Sequence, residues 1–376
     1  MNLALMIIAM IVLLVVEFFY LRHIIGRFLV YWRFDITKRK TSYIKYSIIT
    51  VIMGISLILL TVPGMIVIHF IIASLVFELF GLLVKVISRR DFKVVKFIST
   101  SLAVPLVISV SMVIYGYFNA HNVVATEYTV TTEKALGRDY KIAFLSDVHM
   151  GVSLDFDEIK EMCDEISSFS PDMLLLGGDL VDESTTKEEM QKLFELLGNV
   201  KTTYGVYFAF GNHDAPRNQE MNESEFTEKE LLDTMGANGI VVLQDQWVNL
   251  GDDLVLIGHR DAYFRGNDQI DEREDIETLM GAVDKNRYSI LLEHQPREYE
   301  RNKNAGVNLM LSGHTHAGQI WPCGWLTQLL APNEQNYGME TDEDFCGIVS
   351  SGVAGWSFPV KTEKHAEFLI VTLTEK

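Results

Sequence analysis

Residues 140–149 read Tyr-Lys-Ile-Ala-Phe-Leu-Ser-Asp-Val-His. Six residues of strand-forming character, Tyr140–Leu145, stop at a polar pair, Asp147 and His149. A short apolar run bounded by polar turn residues indicates a buried strand. The same pattern recurs along the chain. Met173–Leu176 ends in Gly178-Asp179-Leu180-Val181-Asp182, and Val206–Phe210 ends in Gly211-Asn212-His213-Asp214. Ser289–Leu292 ends in Glu293-His294, and Val307–Leu311 ends in Gly313-His314-Thr315-His316. Between the first strands lie helical spacings: Ile159, Met162, Ile166 and Phe169, then Met190, Leu193, Phe194 and Leu197. Strand–helix alternation predicts an α/β domain whose functional loops sit at the carboxyl ends of the strands. Further strands are predicted at Leu254–Ile257, Ile348–Ser350 and Glu367–Thr372. No internal repeat or low-complexity tract interrupts this order, and residues 218–230 read as an acidic, solvated loop or helix start.

Upstream of Asn119 the chain changes character. The mean hydropathy of the whole is +0.16, and the apolar excess lies in four runs at 3–21, 46–62, 65–84 and 97–118. Each is near the ~20 residues that cross ~30 Å of hydrocarbon. The first has no basic residue before it and no small-residue cleavage site after it, so it reads as a retained anchor rather than a signal peptide. Domain organisation follows: a four-helix transmembrane region over 1–118, a polar linker over 119–139 and an α/β domain over 140–376. Twelve Lys/Arg against four acids give 1–118 a charge of +8, and the remaining 20 Lys/Arg against 46 Asp/Glu give −26. The cations sit in two loops, 22–45 and 85–96. By the positive-inside rule these loops are cytoplasmic. The chain is then a multi-pass protein of the cell membrane with its α/β domain on the extracytoplasmic side. Glu17 and Glu78 lie near the ends of their runs, where snorkelling to the interface is cheap.

A domain this acidic is a poor partner for nucleic acid. If it works on phosphates it needs bound cations. The polar clusters supply the means. Imidazole and carboxylate together suit a divalent transition metal. In Asp147-x-His149 and His314-x-His316 the two side chains are two residues apart, and in an extended segment they project to one side. Two ions ~3.5–4 Å apart need a shared carboxylate, and can clamp the attacking and leaving oxygens of an in-line displacement. A neutral Asn ligand avoids repelling an anionic substrate. Any one cluster alone is weak evidence; five in order, each at a strand end and together holding five of the ten histidines, is not coincidence.

The ordered series D-x-H, G-D-x-x-D, G-N-H-D, a lone His and G-H-T-H resembles the calcineurin-like metallophosphoesterase superfamily over Tyr140 to the C-terminal residue. The stretch Gly313–Gln319 resembles that of a bacterial subgroup of membrane-associated phosphodiesterases. The resemblance implies two mixed β-sheets flanked by helices. It also implies two divalent ions of manganese, iron or zinc: Asp147, His149 and His316 on one, Asn212, His294 and His314 on the other, Asp179 between them. The attacking group it implies is a hydroxide shared by the ions. His213 is the implied acid or electrostatic partner of the leaving oxygen, with Asp214 orienting its ring. The expected substrate is a phosphoester, a phosphodiester before a monoester. Tethering at a bilayer makes a lipid-linked or envelope compound the natural candidate.

Other residues rank lower. Asp182 belongs around the ligands rather than among them. His259 reads as structural, and Arg260 and Arg297 as surface charge. Trp321, Trp325 and Trp356 suit a pocket lip, a lipid interface or simple packing. Cys323 and Cys346 can pair or stay free. Two other functions compete: a metal-binding sensor or scaffold without turnover, and a transporter with an accessory domain. The full ligand set argues against the first, and the lack of paired intramembrane charges against the second.

Overall fold

The computed structural model describes residues 3–58, 61–214, 225–261, 273–330 and 334–376. The chain divides into two compact units, 1–115 and 116–376. The first holds helices α1 (Leu3–Tyr31), α2 (Arg39–Ser56), α3 (Val62–Ser88) and α4 (Lys93–Thr100) and most of α5 (Ala103–Ala120). Of the described helices, α3 and α5 are long and apolar enough to cross a membrane, against the four expected. The second run corresponds to a helix that starts at Arg39 and stops at Ser56. Lys45 therefore lies inside it, with eleven residues left before its end. Pro63 sits in the first turn of α3, behind the N-cap Thr61, where a missing N–H costs nothing. The fourth run is interrupted at Ser101 and Leu102, the latter at φ +57°. Pro105 lies in the first turn of α5. Glu17 accepts from Ser56 and Glu78 from Arg27.

The second unit stacks two six-stranded sheets between helices. Its strands are β1 (Val123–Thr132), β2 (Tyr140–Leu145), β3 (Met173–Leu176), β4 (Val206–Phe208), β5 (Ile240–Val242), β6 (Gln246–Leu250), β7 (Leu254–Gly258), β8 (Tyr288–Leu292), β9 (Leu309–Ser312), β10 (Gly338–Asp342), β11 (Phe345–Val349) and β12 (Ala366–Glu375). One sheet runs β1-β12-β2-β3-β4-β5 and the other β10-β11-β9-β8-β7-β6. Both are mixed, with β12–β2, β10–β11 and β6–β7 antiparallel and the other pairs parallel. Helices α6 (Phe156–Ser168), α7 (Lys187–Gly198) and α8 (Glu228–Ala237) cover the first sheet, each opened by a capping box. Helices α9 (Ile276–Gly281) and α10 (Tyr299–Ala305) flank the second sheet, and α11 (Cys323–Leu330) follows β9. Residues 218–224 of the acidic stretch lie outside the described residues.

Strand β2 shows why the layers form. Tyr140, Ile142 and Phe144 point into the core between the sheets, while Ala143 and Leu145 point into the core under α6 and α7. The two-residue period of a strand divides one segment between two cores. Replacing a fully buried side chain such as Phe144 by Ala in such a core costs about 3–5 kcal/mol. The expected linker is a correction. Residues 123–132 form β1, paired in parallel with β12 along its whole length. Its Val/Thr-rich make-up is strand-forming, but its mostly half-exposed face kept it polar enough to read as loop.

Candidate metal centre

Strands β2, β3 and β4 of one sheet and β8 and β9 of the other end at one place. Just past those ends the backbone turns into the left-handed region at five ligand candidates: Asp147, His149, Asp179, His314 and His316, with φ from +40° to +69°. Non-glycine residues at positive φ are uncommon and cluster where structure is held for function. The glycine before Asp179 is obligatory. Gly178 has φ +90°, and a Cβ there would lie 2.4 Å from the Gly211 nitrogen and 2.9 Å from His294 Nδ1.

Two groups of donors result: Asp147, His149 and His316, and Asp179, His294 and His314. Within each, one ligand atom per residue lies within 4.8 Å of the others. Asp179 Oδ2 is 3.0 Å from His294 Nε2 and 3.9 Å from His149 Nε2, so its carboxylate faces both groups. Asn212 is buried at the end of β4. The rings of His149 and His316 stack with centroids 5.2 Å apart.

The imidazoles are set as ligands. His294 Nδ1 is 2.8 Å from the Gly177 carbonyl and His316 Nδ1 is 3.1 Å from that of Ala354. An Nδ1–H donated to a carbonyl leaves the Nε2 lone pair free to bind a cation. Near as they are to the carboxylates of Asp179 and Asp182, His294 Nε2 and both nitrogens of His149 lie off the line of any hydrogen bond and are buried. Buried polar atoms without partners are costly, and a divalent cation at each group resolves the cost. Burial keeps His314 near 4 and His316 near 3, neutral at physiological pH as ligation requires. Burial opposes ionisation of Asp182 too, but contacts with His149 and Ser184 outweigh it and bring the carboxyl down to about 2. Asp182 Oδ2 sits 3.3 Å from His149 Nδ1.

Asp214 does not do what the motif suggested. Its carboxylate accepts four backbone N–H groups, from Asp179 at 2.6 Å, Gly211 at 2.7 Å, Leu180 at 2.8 Å and Val181 at 3.2 Å. It pins the β3 and β4 turns together. Burial and the neighbouring Asp179 push it up to about 6, against four amides that favour the ionised form. Glu183 takes the expected place instead: its Oε2 is 3.1 Å from His213 Nδ1. The His213 backbone donates to Asp179 Oδ1 at 2.7 Å, and its ring lies 5.9 Å from that of Trp356.

Three residues were not foreseen. Glu183 is merely an acid after Asp182. Lys361 is fully buried, with Nζ donating to the carbonyls of Ser351, Gly352 and Ala354. That loop reaches Asp147 through Ala354 N–H, and His316 through the Ala354 carbonyl. Arg273 forms a buried bidentate pair with Glu293, joined by His259, which makes His259 structural. No motif marks any of the three. Arg260 is tied to Asp245 and Gln244. All three cysteines are free.

Residues 140–318 match the family model for calcineurin-like phosphoesterases. An uncharacterized metallophosphoesterase of Helicobacter pylori is 33% identical over 64% of this chain and 61% of its own length. One from Aquifex aeolicus is 28% identical over 72% of this chain and 98% of its own. A zebrafish (Danio rerio) transmembrane protein with metallophosphoesterase domain is 26% identical over 72% of this chain and 62% of its own. The chain thus spans about three fifths of the length of the Helicobacter relative. With the two-sheet α/β fold and the converging donor groups, the match identifies residues 140–318 of the second unit as a calcineurin-like phosphoesterase domain.

Proposed function

We propose that this protein hydrolyses a phosphoester at a two-cation centre, anchored to a membrane by its N-terminal helices. The observation that carries the reading is the pair of donor groups meeting at Asp179. Asp147, His149 and His316 would hold one ion and Asn212, His294 and His314 the other, with Asp179 facing both groups. Manganese, iron and zinc all suit this N/O set. The ions, when bound, supply Lewis acidity and lower the pKa of water. The chain does the rest. Asp214 fixes the turns that carry Asp179 and Asn212. His213, only part-buried and anchored at Nδ1 by Glu183, offers Nε2 to protonate the leaving oxygen. Neutral Asn212 holds its ion without adding repulsion toward a phosphate.

A phosphodiester at or in a membrane is the substrate we favour. Trp321, Trp325 and Leu329 are exposed, as is Trp356, whose ring lies 5.9 Å from that of His213, and such exposed apolar side chains suit a lipid-facing surface. The zebrafish relative's name supports membrane attachment. We place crossings at α1, α2, α3 and α5, basic loops inside and the second unit outside. That both basic loops line one cavity of the first unit supports their lying on one side. Protease added to intact cells should then digest the second unit; full protection overturns the outside placement. Metal analysis of the purified protein, with aryl phosphomonoester, aryl phosphodiester and phospholipid substrates, tests the chemistry. Metal-loaded protein inert to all three would leave a sensor or scaffold.

A further inference from the structure

The first unit holds a cavity of about 1360 Å³ between the end of α1, the start of α2 and the α3–α4 connection. Eight Arg and Lys side chains line it, against two carboxylates, Glu78 and Asp91. Both carboxylates are engaged. Glu78, buried in α3, accepts from Arg27 and lies 2.6 Å from His23 Nε2. Arg27 also donates to Thr100 Oγ1 at 3.2 Å. Asp91 pairs with Lys85 at 3.3 Å. Arg22, Arg33, Lys45, Arg90, Lys93 and Lys96 are left around the same space, with no carboxylate partner among the described residues. Lys45 lies close over α1: a Cβ at Gly26 would be 3.0 Å from its Nζ.

Like charges gathered in a concave space repel one another unless a counter-charge joins them. Arginine forks match phosphate oxygens two at a time, and lysines add point charge. A basic pocket between membrane helices, on the side of the positive loops, lies at headgroup depth. We infer that this cavity is a binding site for a phosphate-bearing anion, and that Arg22, Lys45, Lys93 and Lys96 form its grip. The anion can arrive as the headgroup of an acidic phospholipid or as a soluble phosphate compound. The site is separate from the metal centre and does not depend on it.

The test uses the full-length protein, stripped of metal so that the other centre cannot take up phosphate. It is placed in nanodiscs of phosphatidylcholine with or without phosphatidylglycerol. Lipid retained on release into detergent is measured by native mass spectrometry, and inorganic pyrophosphate is titrated calorimetrically in phosphatidylcholine discs. R22Q/K93Q/K96Q should weaken binding about tenfold or more. The equal charge loss of K38Q/R39Q/K40Q, outside the cavity, should change it less than about twofold. K93R/K96R should bind as wild type, which controls for folding. Cavity-dependent retention of phosphatidylglycerol supports a lipid headgroup, and cavity-dependent pyrophosphate binding alone supports a soluble ligand. Equal losses in the two triple variants, or no binding of either probe, overturn the proposal.

Discussion

The two units concentrate opposite charges by opposite means. In the second, carboxylates and imidazoles are drawn together by backbone: strand ends, left-handed turns and amides clamped on Asp214. In the first, arginines and lysines on long, rotatable stems surround an open cavity. Short side chains on a rigid frame fix ligand positions to within tenths of an ångström, as a metal ion demands. Long side chains adapt, as a headgroup or a free phosphate allows. The difference teaches that the precision of a charged site follows from what supplies the rigidity, not from how many charges it holds.

If the frame sets the metal centre, its shared carboxylate is the most sensitive position. Asp179→Ala should lower turnover of an aryl phosphodiester by roughly a thousandfold, about 4 kcal/mol, with bound metal lost in parallel. Turnover within tenfold of wild type would break the comparison at its root. Lys361 tests the frame one step back. Burial pushes it down to about 8 from an ordinary 10.5. Between those pH values the unfolded chain keeps a proton that the folded chain has released, so stability rises as pH climbs through that window. The gain is up to about 3 kcal/mol, and Lys361→Met should abolish the slope in urea midpoints of metal-free protein. The same substitution frees three carbonyls beside Asp147 and His316, and should weaken metal binding about 10–100-fold, the usual cost of losing support behind a ligand. Metal titration reads this directly. Glu183→Gln should act least: about a tenfold loss in turnover rate with metal content unchanged, and a shifted acid limb in the pH–rate profile. A loss of metal instead would place Glu183 in the frame rather than behind the proton.

The central strands and the six Asp and His side chains that converge past them were legible because each strand is mostly apolar and each cluster follows at once; local pattern carries both. What was hidden depends on contacts far apart in sequence. Strand β1 is half-exposed and gains its place from β12. Lys361 looks like any surface lysine until Ser351, Gly352 and Ala354 close around it. Asp214 reads as a partner for its neighbour His213, yet the four amides it accepts come mostly from a turn 33–35 residues earlier. In the first unit, hydropathy found apolar runs but not helix ends, because a helix extends past its apolar stretch through residues such as Arg39 and Lys40.

The position of β12 has a consequence for how this molecule is made. It lies between β1 and β2, so the first sheet has a gap until residues 366–375 emerge from the ribosome. The helices of the first unit and the Asp147 and Asp179 turns are synthesised long before. Closing contacts across more than two hundred residues is slow, and during the wait the open edges of β1 and β2 are available for wrong pairing. The first ligand candidates, Asp147, His149 and Asp179, are thus in hand early, but the sheet that holds them steady is complete only when residues 366–375 join it.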